Sequence, residues 1–400
     1  MNHFLPYGRQ TVDESDVELV IEVLNSSYLT SGPLVEEFER ELADSVGAKY
    51  AVACSSGTAA LHLAVLAADL DETRGVIVPT MTFLSSANAA RFLKAPVWFA
   101  DVDSDHGLLT RETLRDAMAR ADSSVGAVIP VHLNGQSVDM IAIKNLVGDS
   151  GIKIIEDASH ALGSRLVLPD GRVQPVGSCS HSDMCVFSFH AVKTIAMGEG
   201  GAVTTNDEIL YQRLVDFRNH GIIRTPERFK NTELAFSDTC MLNPWYYEMH
   251  ELGFNYRVTD IQCALGLSQL RKLENFVERR RQLVERYDEQ VRCISPEINP
   301  IKRLQHTETC WHLYVLLIDF SSLDISRAVL MKKLQERKIG TQVHYIPVHW
   351  QPYYRRHVGE IDLPGAATYY QRILSLPLYP SMVDADVDRV VSSLRELICC

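Results

Sequence analysis

The sequence predicts an α/β protein: a large, mostly parallel sheet domain followed by a smaller C-terminal α+β domain. Three observations carry this. Between about residues 50 and 210, short β-rich apolar runs alternate with helical stretches, the pattern of a parallel sheet covered by helices on both faces. No Gly-x-Gly-x-x-Gly opens any of those helices, which removes the dinucleotide-binding dehydrogenases. After residue 260 a long stretch with helical apolar spacing leads into a short strand, helix, strand series.

Taken in order, Val12 to Leu24 reads as an amphipathic helix ended by Asn25-Ser26-Ser27, and Thr30-Ser31-Gly32-Pro33 turns the chain into a second helix. The sheet strands are expected at Tyr50 to Ala53, Gly75 to Val78, Pro96 to Ala100, Gly126 to Val131, Lys153 to Ile155, Met184 to Phe189 and Gly201 to Thr204. Ile261 to Val291 reads as one long linking helix whose charges, Arg279 to Arg281 among them, form a solvated face. The small domain then has a strand at His312 to Ile318, a helix at Ser326 to Lys338 and a strand at Thr341 to Tyr345. The division expected is 1–260 for the N-terminal arm and large domain, and 261–400 for the linking helix and small domain.

Composition narrows the function classes. The 400 residues are 46% hydrophobic and 22% charged, enough for a substantial core. Net charge is −12 and no basic block exceeds Arg279-Arg280-Arg281, so there is no electrostatic footprint for nucleic acid. Met1 to Gln10 lacks a signal-peptide core, and the most apolar helix candidate, Thr58 to Leu70, is interrupted by His62 and Asp69; a cytoplasmic protein without a membrane segment is expected. The nine cysteines show no zinc spacing, so no metal is expected and the thiols are read as reduced and mostly buried. Cys399-Cys400 does not form a prenylation box and reads as an exposed tail.

The chemistry is concentrated in a few short segments. Asp157 ends the apolar run beginning at Ile152, placing a carboxylate at the carboxyl end of a buried strand, where open α/β sheets bind ligands. Lys193 follows 36 positions later, after the strand at Met184 to Phe189. An amine and a carboxylate so placed suit pyridoxal 5'-phosphate, which needs a lysine for its aldehyde and an acid to keep its ring nitrogen protonated. Ser55-Ser56-Gly57-Thr58, between a strand and a helix, offers backbone amides and hydroxyls to a phosphate. Phe83, after the next strand, could stack on a flat ring.

These segments, with Tyr28-Leu29-Thr30-Ser31-Gly32-Pro33, Glu156-Asp157-Ala158-Ser159-His160, Gly198-Glu199-Gly200-Gly201 and Gly253-Phe254-Asn255-Tyr256-Arg257, resemble the DegT/DnrJ sugar-nucleotide family of fold-type-I aminotransferases over essentially the whole chain. The resemblance implies Lys193 as the Schiff-base lysine and Asp157 beneath the ring nitrogen. It implies Phe83 on the ring face, Ser56, Gly57, Thr58 and Ser188 around the phosphate, and His160 near the ring hydroxyl, where many members carry Gln. It implies a homodimer with sites at the interface, in which Asn255 reaches the phosphate of the other subunit. Substrate contacts are implied along Tyr7, Ser27, Tyr28, Leu29, Thr30 and Tyr345. Asn243-Pro244-Trp245-Tyr246-Tyr247-Glu248 is similar to the members acting in pseudaminic acid biosynthesis. That likeness implies L-glutamate as amino donor and a UDP-keto-sugar as acceptor, giving UDP-4-amino-4,6-dideoxy-N-acetyl-β-L-altrosamine.

Three rival readings stand beside this one. A sugar dehydratase of the same fold would carry His in place of Lys193. An amino-acid aminotransferase would need an arginine clamp for a second carboxylate. A regulatory protein could keep the pocket without turnover.

Overall fold

A computed structural model describes residues 3–398; the Cys399-Cys400 tail lies outside them. Seven strands form the central sheet: β1 (Tyr50–Cys54), β2 (Arg74–Pro79), β3 (Val97–Ala100), β4 (Ser124–Val128), β5 (Lys153–Asp157), β6 (Met184–Ser188) and β7 (Gly201–Thr205). Their order is β1-β7-β6-β5-β4-β2-β3; β7 runs antiparallel to both neighbours and the other pairs are parallel. Both faces are covered, which is why these strands read as continuous apolar runs: Val52, Ile77, Val128, Ile155, Val186 and Val203 are all fully buried.

The strand directions put the carboxyl ends of β1, β2, β4, β5 and β6 at one edge of the sheet. The chain leaving β1 enters helix α1 (Gly57–Ala67), and the chain leaving β2 enters helix α2 (Leu84–Phe92). β6 and β7 are joined by a hairpin loop in which Phe189 N–H donates to Gly200 O (2.9 Å) and Lys193 N–H to His190 O (2.8 Å).

The linking helix differs from the expectation in two ways. The stretch from Ile261 to Val291 is two helices, Asp260–Leu270 and Leu273–Val291. The break falls where adjacent cations are drawn to different helices of the N-terminal arm. Arg271 pairs with Glu37 (3.0 Å) and Glu41 (2.7 Å) of the helix Pro33–Val46, and Lys272 with Asp13 and Asp16 (both 2.7 Å), at the start of the helix Glu14–Leu24. The second correction concerns Arg280, which does not belong to a wet face. It is 1% exposed, and its guanidinium donates to Trp311 O (3.4 Å), His312 O (3.3 Å) and Leu378 O (3.0 Å).

Beyond the long helix, Ile298–Pro300, Tyr314–Ile318 and Ile373–Leu376 form an antiparallel sheet with Tyr314–Ile318 at its centre. The helix expected after Ser326 spans Arg327–Glu336, with Ser326 as its cap. Thr341 to Tyr345 is not a strand. Gln342 makes a single bridge to Ser375, and the chain then turns back toward the carboxyl edge of the central sheet. Among the described residues, no helix is long and apolar enough to cross a membrane.

Candidate active site

At the carboxyl edge lies a cleft of about 670 Å³ lined by Tyr7, Ser56, Gly57, Thr58, Phe83, Asp157, His160, Ser188, Lys193 and Tyr345. Ten residues expected at the site from sequence therefore share one cavity. Five do not line it. Ser27, Tyr28, Leu29 and Thr30 are exposed, and the backbone of the last two is tied to the start of the helix at Asp260: Thr30 bridges Thr259, and Asp260 N–H donates to Leu29 O (3.1 Å). Asn255, also exposed, is bridged to Asn219.

The phosphate-sized end of the cleft is built by close approach. Ser56 caps helix α1 by accepting from Ala59 N–H (3.1 Å), leaving the amides of Gly57 and Thr58 at the positive end of the helix without intrahelical acceptors. A β-carbon on Gly57 would stand 2.7 Å from Ser188 Cβ, so only glycine lets the two segments meet. Thr58 Oγ1 and Ser85 Oγ are 2.7 Å apart and hold the second hydroxyl in place.

Asp157 is buried at the end of β5, and its carboxylate is nearly saturated. Ser86 Oγ donates to Oδ2 (2.7 Å), while Ser159 donates its amide (3.1 Å) and hydroxyl (2.6 Å) to Oδ1. A carboxylate has about four acceptor sites, so Oδ2 keeps one for a further donor. Sequence reasoning missed both serines. Ser159, two residues after an Asp, has the spacing of a local Asx turn and was readable; Ser86 sits on another element, and no local pattern points to it.

Lys193 hangs from the hairpin loop, and burial pulls its pKa down to about 8 against the opposing pull of Asp157. A lysine so placed is neutral often enough near neutrality to act as a nucleophile or a proton acceptor. In the same lining, Tyr345 OH lies 3.2 Å from His160 Nε2, and its ring is 5.9 Å from that of Phe83. Burial, with the Lys193 charge nearby, drives the His160 pKa well below its ordinary value. His344, another residue the sequence did not single out, packs its ring 5.3 Å from Tyr7 and bonds Ser375 Oγ through Nδ1 (2.8 Å).

The donor set fits pyridoxal phosphate: amides and hydroxyls at a helix N-terminus for the phosphate, an exposed Phe83 on the cleft wall, one free acceptor site on Asp157 and the Lys193 amine in the cleft lining.

Comparison with known proteins gives the same answer. The profile of the DegT/DnrJ/EryC1/StrS aminotransferase family matches residues 10–395. The spore coat polysaccharide biosynthesis protein SpsC of Bacillus subtilis is 38% identical over 400 residues, covering 99% of this chain and 98% of its own. Among solved structures, the chain is similar to Helicobacter pylori PseC, an aminotransferase involved in the biosynthesis of pseudoaminic acid: TM-score 0.87, 28% identity and 99% of both chains. It is also similar to Spr1654 of Streptococcus pneumoniae in its PLP form: TM-score 0.85, 25% identity, 99% of this chain and 98% of that one. The chain belongs to the DegT/DnrJ/EryC1/StrS aminotransferase family and is a sugar aminotransferase with pyridoxal phosphate as its cofactor.

Proposed function

We propose that the protein moves the amino group of L-glutamate to carbon 4 of a UDP-4-keto-6-deoxy-N-acetylhexosamine, giving UDP-4-amino-4,6-dideoxy-N-acetyl-β-L-altrosamine. The observation that carries this reading is the likeness to PseC over 99% of both chains. The exchange is redox-neutral overall: glutamate leaves as 2-oxoglutarate, and the sugar ketone becomes an amine.

Bound pyridoxal phosphate supplies an aldehyde to carry the amine and a ring to take up the electrons freed when a proton leaves carbon. The protein's own residues do the rest. With the cofactor bound, Lys193 Nζ would hold its aldehyde and, when free, would be the group that takes up and returns the proton. Asp157, through the free site on Oδ2, keeps the ring nitrogen charged. Ser56, Gly57, Thr58 and Ser188 hold the phosphate, Phe83 covers one ring face, and Tyr7 and Tyr345 line the way in for the sugar.

A homodimer completes the site in this proposal, with Asn255 and the Ser27 to Thr30 strip of one copy facing the cleft of the other. Supporting it, all five lie exposed outside their own cleft, and large apolar side chains stand in water nearby along the sequence: Leu24, Tyr28, Leu29, Trp245 and Leu252.

A second reading rests on the higher sequence identity, 38%, with SpsC. On it, the acceptor is a different keto-sugar nucleotide used for a polysaccharide. One experiment separates the two. L-Glutamate should bleach the visible band of the cofactor-loaded protein, and UDP-2-acetamido-2,6-dideoxy-β-L-arabino-hex-4-ulose should restore it. Recovery only with the α-D-xylo epimer, or with neither sugar, would move the enzyme to the second reading.

A further inference from the structure

In the same cleft, within reach of the Lys193 charge, the hydrogen bonds of His160 leave little freedom. Its Nδ1 receives the backbone N–H of Asn134 (3.4 Å), and its Nε2 lies 3.2 Å from Tyr345 OH. Asn134 is itself fixed. Its φ is +63°, its carbonyl accepts from His312 N–H (3.1 Å), and its side-chain amide donates to Tyr369 OH (3.1 Å). The His312 ring packs 4.3 Å from that of His160, closing the remaining side.

A backbone amide can only donate, so Nδ1 must carry a lone pair; a hydrogen there would point straight at another hydrogen. The one N–H of the neutral ring is therefore on Nε2 and is directed at the Tyr345 oxygen. Burial beside Lys193 keeps the doubly protonated ring out of reach. With its oxygen accepting from His160, the phenol cannot return its own hydrogen to the ring, and that hydrogen turns into the cleft that Tyr345 lines.

We propose that Tyr345, not His160, is the hydrogen-bond donor on this wall of the cleft, giving its phenol proton to an oxygen of the bound cofactor or of the sugar, while His160 is a positioning residue that acts through it. This departs from the direct contact between His160 and the cofactor ring that the family resemblance implies. It rests on the pyridoxal phosphate site and not on which sugar is used.

The test has two arms. In cofactor-free protein with ¹⁵N-labelled histidine, His160, identified by its loss in His160→Gln, should show the Nε2–H tautomer; an Nδ1–H signal would overturn the proposal. In cofactor-loaded protein, Tyr345→Phe should move the pKa of the visible band by about one unit if the acceptor is on the cofactor, or raise KM for the keto-sugar about tenfold with the band unmoved if it is on the sugar. His160→Gln, whose carbonyl can accept from Asn134 while its NH2 donates to Tyr345, should recover most of what His160→Leu loses in either quantity. His160→Leu should follow Tyr345→Phe with a smaller effect. Tyr345→Phe behaving as wild type while His160→Leu moves either quantity would make His160 itself the donor. A wild type with no visible band would remove the cofactor site instead, and the tautomer arm would still decide the hydrogen-bond direction.

Discussion

Ser86 Oγ donates to Oδ2 of Asp157 over 2.7 Å, from the first turn of helix α2 to the last residue of β5. The contact orients the carboxylate so that its one free acceptor site faces the cleft. It is a bond to a charged group, for which about 1.5–3 kcal/mol is typical. Ser86→Ala should lower kcat by roughly tenfold to a hundredfold, because the freed carboxylate can rotate. Asp157→Ala should lose far more, with turnover falling much further than the melting temperature. Steady-state rates beside thermal melts of both variants check this, and a Ser86→Ala enzyme at full rate would mean that Ser159 alone holds the acid.

Gly57 faces Ser188 so closely that an added methyl would stand 2.7 Å from Cβ and 2.9 Å from Oγ of that serine. Gly57→Ala must push helix α1 away from β6 or displace the serine, and either opens the phosphate cradle. Cofactor affinity, read by fluorescence titration, should fall at least about tenfold, equivalent to about 1.4 kcal/mol. Adding Ser188→Gly should recover the melting temperature without recovering the affinity, since the hydroxyl is then gone as well.

Lys193 gives the cofactor-free protein a pH signature. Its folded pKa of about 8 lies below the 10.5 of a free lysine, so folding disfavours the charged amine. Below pH 8 both states hold the proton and the penalty is constant. Between the two values the unfolded chain binds more protons than the folded one, so stability rises with pH. Lys193→Met abolishes the penalty. The cofactor-free variant should melt above wild type at pH 7, and the gap should close by about pH 11. Parallel melting curves with pH would show that the amine escapes burial.

Much of this was legible in the sequence, and what was not has a physical reason. All seven strands of the central sheet were readable because burial on both faces makes their centres apolar, and Ser56, Asp157 and Lys193 lie at or just beyond the carboxyl ends of such strands. The interruption at Arg271 and Lys272 was invisible: no Gly or Pro marks it, and its cause is a set of carboxylates more than 200 positions away. The run Thr341 to Tyr345 has strand composition, yet it pairs only at Gln342 with Ser375, while the side chains of His344 and Tyr345 bond Ser375 and His160. Ser27 to Thr30 stand outside the cleft of their own chain, with Leu29 and Thr30 bonded through their backbone to residues 260 and 259, so a role at the substrate depends on a second copy of the chain, which no local pattern encodes.

Arg280 separates composition from environment most sharply, because its neighbours Arg279 and Arg281 do face outward, to Asp384 (2.8 Å) and Glu278 (2.9 Å). Buried cations are often replaceable by apolar residues without loss. Here the guanidinium satisfies three carbonyls, of Trp311, His312 and Leu378, and burial lowers its pKa only to about 10, so it stays charged at neutrality. Methionine fills most of the space but donates nothing, and each orphaned buried carbonyl costs about 1–3 kcal/mol. The lost donors should outweigh the relief of desolvation. Arg280→Met should therefore lower the urea midpoint by the equivalent of about 2–4 kcal/mol at unchanged slope. Arg281→Met, whose ion pair to Glu278 is exposed, should stay within about 1 kcal/mol of wild type. An Arg280→Met protein as stable as wild type would mean that water replaces the guanidinium at those carbonyls.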